Sequence, residues 1–165
     1  SRKHSESLWN RPKKLFLTDY EMRDREYFEL NETDTVYGCI QTFFKISDDF
    51  ENVLSNILEK DSNAVILLSN NIRFCKSHLL RIKEKCGDNY ERIKFFGNLK
   101  QDLYLNLISL CDVILDPFPF GGCNTSFEAF DFNIPVVTFP TNFINGRFTY
   151  GLYKKMGIDC CIAKN

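Results

Sequence analysis

Residues 113–130 read VILDPFPFGGCNTSFEAF. Val113 to Leu115 is a short apolar run of strand type. Pro117 to Gly122 is a Pro/Gly-rich loop, and Asn124 to Phe130 has the pattern of a short helix. A strand therefore ends at Asp116, turns through a rigid segment, and feeds a helix that opens on small polar residues. Glycine lets backbone approach a ligand closely. The first turn of a helix leaves amide N–H groups that point at an anion. Gly121, Gly122, Cys123, Asn124 and Thr125 are thus candidates to cradle a phosphate or pyrophosphate. Glu128 lies one turn further, where a carboxylate is placed to accept the hydroxyls of a ribose. The same residues also fit an ordinary strand-to-helix turn, with Asn124 as cap and Glu128 in water.

Working outward, apolar runs and helical spacings alternate about six times. Val36 to Phe44 is a β-rich run, and Phe50, Val53, Leu54 and Ile57 recur at helical spacing over Asp48 to Leu58. Ser47 is positioned to cap that helix, with acidic residues in its first turn. Ala64 to Leu68 is an unbroken apolar strand. Phe74 to Cys86 reads as a helix stopped by Gly87. Ile93 to Phe96 is a strand and Gln101 to Leu110 a helix. Pro135 to Phe139 is a strand, Arg147 to Met156 a helix, and Cys160 to Ala163 begins a last strand. Unbroken strands separated by helices predict a parallel sheet covered on both faces. The expected fold class is α/β, a Rossmann-like doubly wound sheet over residues 36–165. Residues 1–35 hold seven basic and eight acidic side chains, interrupted by Trp9, Leu15, Phe16 and Leu17. They read as a linker or irregular docking arm. The chain stops at the edge of an element, so the lobe is expected to be truncated at its C-terminus.

Composition narrows the function. The 165 residues carry 21 Lys plus Arg against 22 Asp plus Glu, a formal net charge of -1. A general nucleic-acid binder or a basic membrane-surface protein would show a basic excess. No apolar run reaches the roughly 20 residues that span a bilayer. Seven cysteines without a CxxC spacing, and only two histidines, assemble no zinc site. Most of the cysteines sit in apolar segments as small hydrophobes. A reducing compartment, cytoplasmic or nuclear, is expected.

Ligands of such sheets bind outside the carboxyl ends of the strands. Two further strand ends are therefore of interest. Lys45 follows the first strand, where it either snorkels along the surface or neutralises a leaving diphosphate. Gly97 to Tyr104 enters the third helix. There Tyr104 is placed to stack on a nucleobase and the backbone near Leu99 to read its edge; a capped helix with Tyr104 half-buried explains the same residues. Arg147 either faces the same cleft or caps the fold. His78, on a Lys/Arg-rich helix, reads as solvated. Cys123 is not read as a nucleophile, because no histidine is near it in sequence.

Taken together, these motifs resemble the O-GlcNAc transferase/SPINDLY-type glycosyltransferases. The family pattern LDPFPYGG-TTTT-CEAL-GVPVVT is similar to Leu115–Gly122, Asn124–Ala129 and Pro135–Thr138 here. Lys45-Ile46, Arg92–Phe95, Gly146-Arg147, Met156–Ile158 and Ile162–Asn165 follow in the family's order. The resemblance runs from about Tyr37 to Asn165. It implies the C-terminal, nucleotide-sugar-binding lobe of an inverting transferase with the two-lobed GT-B fold. It assigns Lys45 to the diphosphate as the catalytic residue, Cys123-Asn124-Thr125 to the phosphates, Glu128 to the ribose and Tyr104 to the base. It implies UDP-GlcNAc as donor, with GDP-fucose as the alternative, and a protein Ser/Thr hydroxyl as acceptor. No metal or other cofactor is implied. The partners would be a nucleotide sugar, an acceptor protein bound through regions not in this chain, and the N-terminal catalytic lobe, without which the fragment should be inactive. Cys123-Asn124 stands where the family has His-Thr or Thr-Thr. That departure motivates a second alternative, a degenerate lobe that serves only as an interaction module.

Overall fold

Ala64-Val65-Ile66-Leu67-Leu68 is the kind of run that two covered faces require, and it becomes the central portion of the sheet. The computed structural model describes residues 22–69 and 76–164. In it five strands are all parallel: β1 (Thr35–Cys39), β2 (Ala64–Ser69), β3 (Ile93–Phe96), β4 (Val113–Leu115) and β5 (Val136–Val137). Their order is β3-β2-β1-β4-β5. β1 and β2 pair from Thr35↔Ala64 to Cys39↔Leu68, and β1 meets β4 at Tyr37↔Val113 and Gly38↔Ile114.

Successive side chains on a strand point to opposite faces, and the core divides accordingly. Ile66 and Leu68 join Cys39, Phe43, Leu54, Leu58 and Ile82 on one face. Val65 and Leu67 join Val36, Leu107, Ile108, Ala129, Val136 and Tyr153 on the other. The first face is covered by α1 (Asp48–Lys60) and α2 (Lys76–Cys86). The second is covered by α3 (Gln101–Ser109), α4 (Asn124–Asp131) and α5 (Phe148–Met156). This is the doubly wound α/β arrangement read from the sequence. Each fully buried Leu or Ile is worth roughly 1.5–3 kcal/mol over its exposed state, so the two clusters set where the strands end.

Several boundaries differ. The first strand stops at Cys39 rather than Phe44. Gln41 turns inward and Phe43–Lys45 form a 3-10 turn, so the chain cannot keep its alternation. Pro135–Phe139 yields only a two-residue strand. The expected last strand, Cys160 to Ala163, is a single parallel bridge, Thr138↔Ile162. Ser47 caps α1 as expected, accepting from Phe50 N–H at 3.2 Å. Phe74 and the anchors Trp9, Leu15, Phe16 and Leu17 lie outside the described residues. Of the arm, Phe28 and Leu30 are buried in the second cluster.

His78 is not in open water. It is half-buried, with Nδ1 3.0 Å from Glu51 Oε1. Glu51 has a fully buried side chain on α1 and is met by three cationic or ionisable groups of α2. Arg81 donates to it at 2.8 and 3.1 Å, and Lys85 Nζ lies at 3.4 Å. This cluster joins α1 to α2. The His78 ring also packs near Phe43, with centroids 6.0 Å apart.

Among the described residues no helix is long and apolar enough to cross a membrane. Cys39, Cys86, Cys111, Cys123, Cys160 and Cys161 are all free thiols, and burial pushes the Cys111 thiol up to about 12.

Candidate functional site

The strand order reverses direction between β1 and β4, so the loops leaving their carboxyl ends diverge and open a crevice. From β1 comes the segment Ile40–Lys45, and from β4 comes Asp116–Cys123. Lys45 and Gly121 are 76 residues apart in sequence, yet Lys45 Nζ donates to the Gly121 carbonyl at 3.2 Å.

Lys45 is half-buried at the base of this crevice. Its ammonium also donates to Gln41 Oε1 at 2.8 Å and lies 4.8 Å from the Phe120 ring centroid. An ammonium has three protons, so one is left without an oxygen or nitrogen acceptor among the described residues. Burial lowers the Lys45 pKa, and the nearby Asp116 carboxylate opposes that shift.

Asp116 supports the loop from below. Its Oδ1 accepts from Gly122 N–H at 2.5 Å, and its Oδ2 accepts from Thr138 Oγ1 at 2.8 Å. The Thr149 hydroxyl of α5 also bonds this carboxylate, and Ser126 Oγ lies 2.8 Å from Thr149 Oγ1. Burial pushes the Asp116 pKa up, and these hydrogen bonds counter it. The carboxylate thus ties β4, the glycine turn, β5 and α5 together.

Both expected glycines line the turn, but their amides are committed within the chain. Gly121 N–H donates to Asn145 O at 3.0 Å and Gly122 N–H to Asp116. Their need is for space. A Cβ on Gly121 would lie 2.9 Å from Asp116 Oδ1. One on Gly122 would lie 2.8 Å from Gln41 Nε2 and 3.2 Å from Ser126 Oγ.

The free amides lie just beyond. Cys123, rather than Asn124, is the N-cap residue of α4, and its carbonyl takes the N–H groups of Ser126 and Phe127. The N–H groups of Cys123, Asn124 and Thr125 have no acceptor among the described residues, as a helix start predicts. Gln41 Nε2 donates to the Thr125 hydroxyl. Lys45 and the α4 N-terminus, assigned separately from sequence, are therefore bridged by one side chain.

Glu128 is half-buried one turn along α4, and its Oε2 accepts from the Tyr104 hydroxyl at 2.8 Å. The Tyr104 ring and Leu99 pack against the second core cluster. Burial and the adjacent Glu128 push the Tyr104 pKa up. The residue expected at the base thus braces the residue expected at the ribose. Arg147 is exposed, caps α5 and donates to Thr141 O at 2.9 Å. Arg92 donates to Asp61 O at 2.8 Å and Ala64 O at 3.2 Å, fastening the end of α1.

Gln41 and Asp116 were not singled out by sequence. A signal existed for each: a lone amide inside the run Cys39–Phe44, and a carboxylate directly after an apolar strand. Thr149 had none. Among the described residues no group of three or more His, Cys, Asp or Glu side chains gathers as a metal site would need.

No family model matches the chain. Over 151 residues, 83% of its length, it is 22% identical to a curated Arabidopsis thaliana protein, a probable UDP-N-acetylglucosamine–peptide N-acetylglucosaminyltransferase, SEC. It spans 15% of that protein. A Thermobaculum terrenum O-GlcNAc transferase, in mutant form, superposes with a TM-score of 0.71 at 26% identity, over 82% of this chain and 27% of that one. WaaG, a glycosyltransferase involved in lipopolysaccharide biosynthesis, shares the fold at a TM-score of 0.64 and 13% identity, covering 92% of this chain and 40% of its own. The Anabaena protein HepE, solved in complex with UDP-glucose, does so at 0.51 and 21%, covering 70% and 32%. The curated relative, the Thermobaculum protein and WaaG are transferases of sugars by description, and in sequence and fold this chain is similar to O-GlcNAc transferases, with the Rossmann-like lobe of GT-B glycosyltransferase architecture.

Proposed function

We propose that this lobe holds the nucleotide-sugar donor of an inverting glycosyltransferase, with UDP-GlcNAc as donor and a protein Ser/Thr hydroxyl as acceptor. One observation carries this reading. The fold brings Lys45, far away in sequence, beside the start of α4, where three amides have no acceptor among the described residues and Glu128 follows one turn on. The curated relative's description and the UDP-glucose complex of the Anabaena neighbour support the donor class.

In this reading the diphosphate lies on the N–H groups of Cys123, Asn124 and Thr125. The free proton of Lys45 meets the charge that grows on the leaving nucleotide as the glycosidic bond breaks. Glu128 accepts the ribose hydroxyls, held in place by Tyr104, and the backbone at Leu99 meets the base. Gly121 and Gly122 let the turn close beneath. No metal or other cofactor is invoked. The acceptor protein is held through regions outside this chain, and an opposing lobe completes the site across the crevice.

Titration of the intact protein with UDP, GDP and ADP tests the proposal. Selective UDP binding is expected. GDP selectivity would move the donor to GDP-fucose, and a folded protein that binds none of the three would favour an interaction module instead.

Two results follow for variants and conditions. Glu128→Ala is expected to cost roughly 1–3 kcal/mol of nucleotide affinity, the range for a hydrogen bond to a charged group. The loss should be larger for UDP than for deoxy-UDP, and equal wild-type affinity for the two would remove Glu128 from the ribose. The pH dependence has a fixed sign. A terminal phosphate is already ionised above about pH 7, while Lys45 loses its charge as pH rises through a pKa held below that of an ordinary lysine. UDP affinity should therefore decline on the alkaline side at a lower pH than an ordinary lysine would impose, and more steeply than uridine affinity; the same profile for both in calorimetry would contradict the contact.

A further inference from the structure

We propose that Gln41 is a positioning residue that makes the phosphate end of the crevice, around Lys45 and the start of α4, a set of donors, and so sets its preference for a diphosphate; the inference rests on the donor-site reading above. Gln41 is 7% exposed, and both ends of its amide are engaged. The orientation of that amide follows from chemistry. Lysine has donors and no acceptor, so the group facing Lys45 Nζ at 2.8 Å must be the carbonyl oxygen. The NH2 group then faces Thr125 Oγ1, which must accept from it.

A threonine hydroxyl that accepts from inside has its own proton to give outward. No acceptor for that proton lies among the described residues. The Thr125 hydroxyl and amide, the amides of Cys123 and Asn124, and the Lys45 ammonium are then all donors grouped at the start of α4, linked through Gln41. A cluster of donors around a cation suits an anion with several oxygens. Gln41 is the residue that fixes the direction of two of them. Its room is supplied by Gly122, since a Cβ there would lie 2.8 Å from Gln41 Nε2.

Substitution by glutamate separates this role from a merely structural one. Glutamate has nearly the shape of glutamine and would hold Lys45 at least as firmly. A carboxylate accepts and cannot donate, so the Thr125 proton would swing inward and a negative charge would enter the site. For packing, Gln41→Glu is the gentler change than Gln41→Met. For diphosphate binding it should be the worse one.

The experiment compares UDP and uridine binding to the intact protein, by calorimetry and saturation-transfer NMR, in wild type, Gln41→Glu, Gln41→Met and Lys45→Ala. UDP affinity is expected to fall at least tenfold in Gln41→Glu and less in Gln41→Met, with uridine affinity unchanged in both. Equal losses for UDP and uridine, or a Glu variant that binds UDP no worse than the Met variant, would overturn the inference. Wild-type protein that binds neither UDP nor GDP would overturn the donor-site reading and this role together. UDP binding lost in Lys45→Ala but intact in Gln41→Glu would overturn this role alone. If Gln41→Glu does not fold, Gln41→Met and Thr125→Val carry the test. Each should weaken UDP, and their double variant should fall no further than the larger single change; additive losses would sink the coupling.

Discussion

Lys45→Ala in the intact protein is expected to lower kcat by about 10²–10³-fold, the cost of deleting one preorganised group that meets developing charge. The expectation rests on how Lys45 is held. Two of its protons go to Gln41 Oε1 and Gly121 O, which fixes the ammonium and leaves the third without an acceptor among the described residues. Burial disfavours the charge and lowers the Lys45 pKa. A charge held in such surroundings acts with less solvent screening than one in water. Because charge grows on the diphosphate as the bond to the sugar breaks, the loss should fall mainly on kcat, with a smaller rise in KM. Steady-state kinetics with the donor as varied substrate would check this. An unchanged kcat beside a lowered melting temperature would reduce Lys45 to a tie between two loops.

Glu51→Ala should be strongly destabilising although it is remote from the site, at about 3 kcal/mol, the low end for breaking a buried ion pair. The carboxylate is 0% exposed and accepts from Arg81 while facing His78 and Lys85. The low end is appropriate because its partners are 39%, 22% and 23% exposed in their side chains and can turn to water once it is gone. For a chain of this size, that corresponds to a melting temperature lower by roughly 6–12 °C. Glu51→Gln, which keeps the volume and part of the bonding, should recover some of the loss. A melting temperature within 2 °C of wild type, on the order of half a kcal/mol, would show that α1 and α2 are joined by their apolar contacts alone.

The sheet was legible because burial on two faces leaves a plain trace. Ala64–Leu68 has no polar residue, and its shortness and β-branched content suit an interior parallel strand covered on both faces. β5 and the final bridge were overread, since Val136-Val137 and Ile162 are apolar without having long partners to pair with. The candidate phosphate segment was conspicuous for a different reason: the turn, the helix start and Glu128 follow one another within a dozen residues. Gln41 and Asp116 take their meaning from residues in other segments. A glutamine between Ile40 and Thr42 reveals nothing of Thr125 until β1 lies beside β4. His78 shows the same limit from the other side. Its basic neighbours suggested water, yet Arg81 and Lys85 collect around a carboxylate that α1 supplies.

The position of β1 in the middle of the sheet also bears on how the protein is made. On the ribosome β1, β2 and the helix between them emerge long before Val113. Until β4 arrives, β1 is an open edge whose Val36 and Cys39 are destined for the interior. Such an edge templates pairing with other chains. Synthesis halted anywhere in α3 would release an adhesive half-sheet rather than a weakened binder, so completion of β4 guards solubility as much as it assembles the crevice.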